Sequence, residues 1–160
     1  MINRFTIAVI IVLLCSSSGF SASPVIDSVT VSPVAVAPGG AATITVQAHD
    51  PDCTAGSCTN TSCKVINSAN TAWSVSAGTI AATNNGSNTS PYTASIDWQA
   101  PAVGGNYTVT VTVWDKGSGM LGCPSTSGSS TETIVVGIMN NPPVISSLTG
   151  YRRGAAWSPG

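Results

Sequence analysis

The chain has 160 residues, with five Lys or Arg against six Asp or Glu, and only 7% of it is charged. So few cations, with no basic cluster among them, exclude a nucleic-acid surface, which needs grouped Lys and Arg to meet the phosphates. A disordered polar chain is excluded too, because Val and Ile recur at strand spacing.

In chain order, Met1 to Arg4 forms a short positive start, residues 7–14 an unbroken apolar run, and residues 16–22 a small-residue region suited to a signal peptidase. Residues 1–22 are therefore expected to be an export signal, cleaved between Gly19 and Ser23. The apolar run is far shorter than the ~20 residues a bilayer-spanning helix requires, so no stable membrane span is expected. Cys15 raises a lipoprotein signal, but bulky Val12-Leu13-Leu14 stands where such signals carry small residues. The cysteine reads better as one more apolar residue of the signal. Without the signal, Lys64, Lys116, Arg152 and Arg153 face six acids, a net charge of about −2.

A first strand is predicted over 25–31, stopped by Ser32-Pro33, then a short edge segment over 34–37 and a turn at Pro38-Gly39-Gly40. Residues 43–49 alternate, with Ile44, Val46 and Ala48 inward, and end at Asp50-Pro51-Asp52. Residues 50–71 show no apolar periodicity and hold Cys53, Cys58 and Cys63, which predicts a long cross-linked loop. Residues 72–76 put Trp73 and Val75 on one face, 79–82 form a short strand, and 84–90 a polar turn. Residues 92–98 alternate with Tyr92, Ala94, Ile96 and Trp98 together. The strongest signal is 105–115, with Tyr107, Val109, Val111 and Val113 on one face and Thr108, Thr110 and Thr112 on the other. A Gly/Ser/Pro loop over 116–129 carries Cys123, and 131–136 is the last strand. About seven to eight strands with turn signals at roughly ten-residue spacing predict an all-β Greek-key β-sandwich over 23–137.

Residues 138–160 are expected to be a linker and the aborted start of a second repeat. After Asn140-Asn141-Pro142-Pro143, the run Val144-Ile145-Ser146-Ser147-Leu148-Thr149 echoes Val25-Ile26-Asp27-Ser28-Val29-Thr30. No alternation follows Gly150.

Pro24-Val25-Ile26, Pro38-Gly39-Gly40, Asp50-Pro51-Asp52, Trp73, Gly78-Thr79-Ile80, Trp98-Gln99-Ala100-Pro101 and the 105–115 strand occur in an order that resembles a bacterial immunoglobulin-like domain of the PKD and cadherin-like type. The resemblance covers roughly 24–136. It implies an immunoglobulin-like sandwich and a non-catalytic extracellular module, often repeated, that spaces other domains or takes part in adhesion and carbohydrate binding. Cys53 departs from the pattern, since such domains usually carry Gly there followed by another acid.

Four cysteines outlast the signal, and in an exported chain they predict two disulfides. Their five-residue spacing lacks the Cys-x-x-Cys of zinc modules. The preferred pairing is Cys53 with Cys58 and Cys63 with Cys123, because the two long loops are expected to share a pole. Asp50, Asp52 and Asp115 end strands at that same pole and are candidate calcium ligands, calcium being the one cofactor the residues suggest. The competing reading makes Asp50 and Asp52 turn residues. His49 is the only histidine, but its neighbour Asp50 points to the other face, which argues against a catalytic relay. Glu132 is the sole glutamate, so paired acids for glycoside hydrolysis are unsupported, the Asp residues being placed in turns or outward. Tyr107 stands where a tyrosine corner is expected and Trp73 where a core tryptophan is. Trp114 falls on the threonine face, a candidate for stacking on a sugar ring or a partner unless the long loop covers it. The expected function is a secreted or cell-surface structural, spacer or adhesion module. The alternative is recognition of polysaccharide, another surface protein or calcium by the cysteine-rich pole.

Overall fold

The computed structural model describes residues 22–59, 63–117 and 127–139. The expected signal up to Ser21, with Cys15, and likewise Cys123 and the linker with its partial repeat from residue 140, lie outside the described residues. No described helix is long and apolar enough to cross a membrane.

Seven strands are described: β1 (Val25–Ser32), β2 (Ala41–His49), β3 (Ala72–Val75), β4 (Thr79–Asn84), β5 (Tyr92–Gln99), β6 (Gly105–Trp114) and β7 (Ser129–Ile138). They form two antiparallel sheets packed as an all-β sandwich, one ordered β1-β2-β5-β4 and the other β3-β6-β7. The strands with the cleanest alternation lie at the centres of their sheets. Along β2, Ala42, Ile44, Val46 and Ala48 are buried; along β5, Tyr92, Ala94, Ile96 and Trp98; along β6, Val109, Val111 and Val113. Period-two patterning survives there because one face packs on the other sheet while the other meets solvent. Register follows from it, with Ile44 opposite Ile96, Val46 opposite Ala94 and Trp73 opposite Val111.

Two differences from the sequence reading concern edges. Residues 34–37 make no strand: Val36 alone bridges to Ile138. The last strand is longer than 131–136, because Ser129 and Ser130 pair with Trp114 and Val113, and Gly137 and Ile138 with Asn106 and Gly105. Serine and glycine carry no apolar signal, so this extension depends on the partner strand.

The core is continuous but has two halves. One gathers Ile44, Ile96, Trp98, Val109 and Val136, the other Val46, Ile66, Tyr92, Ala94, Val111 and Val113. Trp73 packs against both, as its strand position predicts, but the central tryptophan is Trp98, wholly buried. Its indole N–H donates to the Ala77 carbonyl at 3.0 Å, and its ring lies 6.5 Å from that of Tyr107. The Tyr107 hydroxyl donates to the Val103 carbonyl at 2.9 Å, four residues back, which fastens the β5–β6 connection to the strand it enters.

Candidate functional site

Strand direction assigns the connections to two ends. Residues 50–71, 85–91 and the segment after β6 lie where β2, β4 and β6 finish and β3, β5 and β7 begin. This is the cysteine pole. Residues 33–40, 76–78 and 100–104 lie at the opposite pole together with the end of β7.

At the cysteine pole the loops are fastened to one another. Cys53 and Cys58 are joined by a disulfide. Cys58 pairs with Ser90 through both backbone bonds, N–H to O at 2.7 Å one way and 3.0 Å the other. Cys63 is also disulfide-bonded. The backbone continues inward from there: Ile66 N–H donates to the Thr89 carbonyl, Asn67 N–H to that of Trp114, and Lys116 N–H to that of Val65. Val65 and Ile66 are both completely buried, Ile66 within the upper half of the core. The sequence reading missed this pair, since neighbouring buried residues make no alternation. The available signal was that they are adjacent large apolar residues in an otherwise polar stretch.

A second knot lies beneath them. The Tyr92 hydroxyl donates to the Asn85 carbonyl at 2.6 Å, so the Thr71 hydroxyl, 2.8 Å away, donates to the Tyr92 oxygen. Asn85 returns its amide N–H to the Thr71 carbonyl and accepts from the Trp73 indole. Burial raises the Tyr92 pKa, the bond from Thr71 opposing that rise. Asn88 receives both the backbone N–H and the hydroxyl of Ser68, beside a single 3-10 turn, Ser68–Asn70. The sequence reading placed Tyr92 and Trp73 inward but did not single out Ser68, Thr71, Asn85 or Asn88, whose partners lie in a distant loop.

The three aspartates do lie at one pole, but with separate duties. Asp50 and Asp115 are almost wholly buried, which corrects an outward placement of these acids, while Asp50 bonds the backbone of the following turn as the competing reading had it. Each continues the inward parity of its strand, Ala48 to Asp50 and Val113 to Asp115, a signal the sequence contains. Asp50 Oδ1 accepts the Asp52 N–H at 2.8 Å, and the Ser90 hydroxyl oxygen accepts the Asp50 N–H at 2.9 Å. Asp115 Oδ1 accepts from Gly128 N–H at 2.8 Å, while Asp52 Oδ2 accepts from Ala22 N–H at 3.0 Å. Asp50 Oδ2 is buried and has no hydrogen-bond partner. Its burial raises the carboxyl pKa, the Asp52 N–H bond lowers it, the Asp52 and Asp115 charges raise it further, and Lys64 lowers it. No group of three or more acids, histidines or cysteines among the described residues is arranged to hold a metal ion.

Trp114 is half-buried. Its backbone carbonyl is the acceptor that anchors Asn67. His49 faces outward, with Nδ1 2.9 Å from the Asp27 carboxylate across β1 and β2, and the buried Asp50 is not its partner. Searches of protein-family models, curated proteins and solved structures found no match to the chain.

Proposed function

We propose that this chain is a non-catalytic, exported immunoglobulin-like module of the PKD or cadherin-like kind, with a structural, spacer or adhesive role. The strand order supports the first part: four strands as β1-β2-β5-β4 against three as β3-β6-β7 is the arrangement of a seven-strand constant-type Greek-key sandwich. The Tyr107 hydroxyl bonded to Val103 agrees with it. The disulfides suit an oxidising compartment outside the cytoplasm.

The observation that carries the role is the state of the cysteine pole. In sandwiches that bind through end loops, polar side chains there face a ligand. In this chain the side chains of Ser68, Thr71, Asn85, Asn88, Ser90 and Tyr92 bind the loops to each other, and Val65 and Ile66 plug the end of the core. Such an end is a rigid stopper. A relay of the hydrolase kind would also need a nucleophile, and among the described residues the His49 imidazole is hydrogen-bonded to Asp27 alone.

The test is to export the full chain in an oxidising host. Accumulation outside the cytoplasm with Cys53 and Cys58 oxidised, and no binding across a panel of polysaccharides, is the expected result. Sugar binding that disappears in Trp114→Ala would move the function to recognition. Retention in the cytoplasm with free thiols would overturn both readings.

A further inference from the structure

Four Asn-x-Ser/Thr triplets stand in the chain: Asn60-Thr61-Ser62, Asn85-Gly86-Ser87, Asn88-Thr89-Ser90 and Asn106-Tyr107-Thr108. The pattern is the acceptor signal for N-linked glycans on exported chains, and it has force only where the amide reaches solvent. The first triplet lies outside the described residues, and the fold separates the other three.

Asn85 and Asn88 are half-buried and already engaged. Asn85 Nδ2, the atom a sugar would be joined to, donates to the Thr71 carbonyl at 3.1 Å, and its Oδ1 accepts from the Trp73 indole at 3.3 Å. Asn88 Oδ1 accepts the Ser68 backbone N–H at 2.9 Å and the Ser68 hydroxyl at 2.7 Å. The hydroxyl of that triplet belongs to Ser90, which is 2% exposed and accepts the Asp50 N–H. A glycan at Asn85 would open the knot beneath the cysteine pole.

Asn106 is placed differently. It is exposed near the start of β6, and its side chain has no hydrogen-bond partner among the described residues. Period-two alternation turns Tyr107 inward, with its hydroxyl tied to Val103, and sets Asn106 and Thr108 on the same outward face. The amide and the hydroxyl that a transferase reads together therefore emerge side by side. Across the ladder Asn106 faces Gly137, which has no side chain to crowd the amide. Two residues on, Thr108 faces Val135, an apolar side chain 64% exposed and diagonal to Asn106. A sugar on Asn106 thus has clear space beside it and an apolar side chain within reach of its ring.

We infer that Asn106 is an N-glycosylation site, with Thr108 supplying the hydroxyl of its recognition signal and a lipid pyrophosphate-linked oligosaccharide as the donor. In the transfer, Asn106 Nδ2 bonds to the anomeric carbon of the first sugar while the bond from that carbon to the pyrophosphate oxygen breaks. The lipid pyrophosphate departs with the electron pair, and the amide gives one proton to a base of the transferase and keeps the other. The inference rests on the reading of the chain as exported, because the donor is used on the side of the membrane where disulfides form. It also answers the composition: a chain with 7% charged residues has few charges to keep its surface hydrated, and a glycan supplies hydration without charge.

The experiment secretes the full chain from a eukaryotic culture that carries the transferase. The unreduced protein is read by intact mass, and by peptide mapping after a glycan-releasing amidase in heavy-oxygen water, which marks each carrying Asn as it becomes Asp. Glycan mass on the oxidised protein, with marked conversion at Asn106 and none at Asn85, is expected. Thr108→Ala and Asn106→Gln, both at exposed positions, are each expected to lose the glycan at residue 106 entirely, and Thr108→Ser to keep it. A secreted, oxidised chain with Asn106 bare, or Asn106 still marked in Thr108→Ala, would overturn the site, as would conversion at Asn85 or Asn88 in its place. A second version with the host's own export signal replacing residues 1–22 carries the chain to the transferase if its own signal fails, so failure of export is read apart from failure of the site.

Discussion

Replacing Ile66 by alanine tests whether the long cysteine-bearing loop is part of the core. Ile66 is 0% exposed and packs with Val46, Tyr92, Ala94, Val111 and Val113, residues of β2, β5 and β6. Ile66→Ala removes three carbons, about 2.4 kcal/mol of transfer free energy at ~0.8 kcal/mol each. The loop is held on both sides by the Asn67 and Ile66 backbone bonds and cannot collapse fully into the space, so a cavity term raises the total to about 3–4 kcal/mol. For a sandwich of this size that is a fall in Tm of roughly 10–20 °C. Equilibrium urea unfolding of the oxidised protein, followed by tryptophan fluorescence, should show a lower midpoint with an unchanged slope. Val34→Ala, at a position 89% exposed, should change stability by less than about 0.5 kcal/mol. A loss below about 1 kcal/mol for Ile66→Ala would refute the reasoning, since a loop that merely hangs from the sandwich gives that result.

Three further outcomes are expected. Because burial raises the Asp50 pKa, the folded state holds its proton to higher pH than the unfolded chain does; stability therefore falls as pH rises from the ordinary carboxylate value through the raised one, and is level above it. Asp50→Asn should remove this slope in a pH series of urea unfolding, with Asp52, Asp115 and Lys64 left in place; a difference from the parent that does not vary with pH sinks the assignment. Calcium should leave Tm unmoved in both proteins. Tyr107→Phe should lose about 0.5–1.5 kcal/mol through the missing bond to Val103 without altering the strand, checked by thermal melting and circular dichroism. Gly78→Ala should lose at least about 2 kcal/mol, as φ is +82° there and a Cβ runs into the Gln99 carbonyl and the Trp98 indole; an unaltered melting curve would contradict that geometry.

How much was legible in the residues depends on what each side chain packs against. The 105–115 strand could be read at once, since Val109, Val111 and Val113 meet the opposing sheet along their whole length and the threonines meet only water and each other, Thr110 with Thr133 and Thr112 with Thr131 at 2.9 Å. The Tyr107 anchor was legible for a similar reason: its bond is local. β7 was legible only in its middle, because the polar ends are strand by virtue of β6. The loop over 50–71 was least legible. Its order comes from contacts with residues 85–91, Trp114 and Lys116, and no pattern within the loop encodes partners so far away in sequence.

The aspartates show how one pattern of acids can serve the chain's own backbone. Three acids at one pole invite a cation, yet the alternation of β2 and β6 runs through Ala48 to Asp50 and through Val113 to Asp115, which turns both carboxylates inward at the last rung of the core. At that rung an apolar side chain would leave the N–H groups of the returning loops without acceptors, at about 1–3 kcal/mol each. Asp50 takes the Asp52 N–H and Asp115 takes the Gly128 N–H, so each acid ends its strand and captures the chain that follows. Both carboxylates thus accept from their own chain at the last rung of the core, and Asp50 Oδ2 is left there buried without a hydrogen-bond partner.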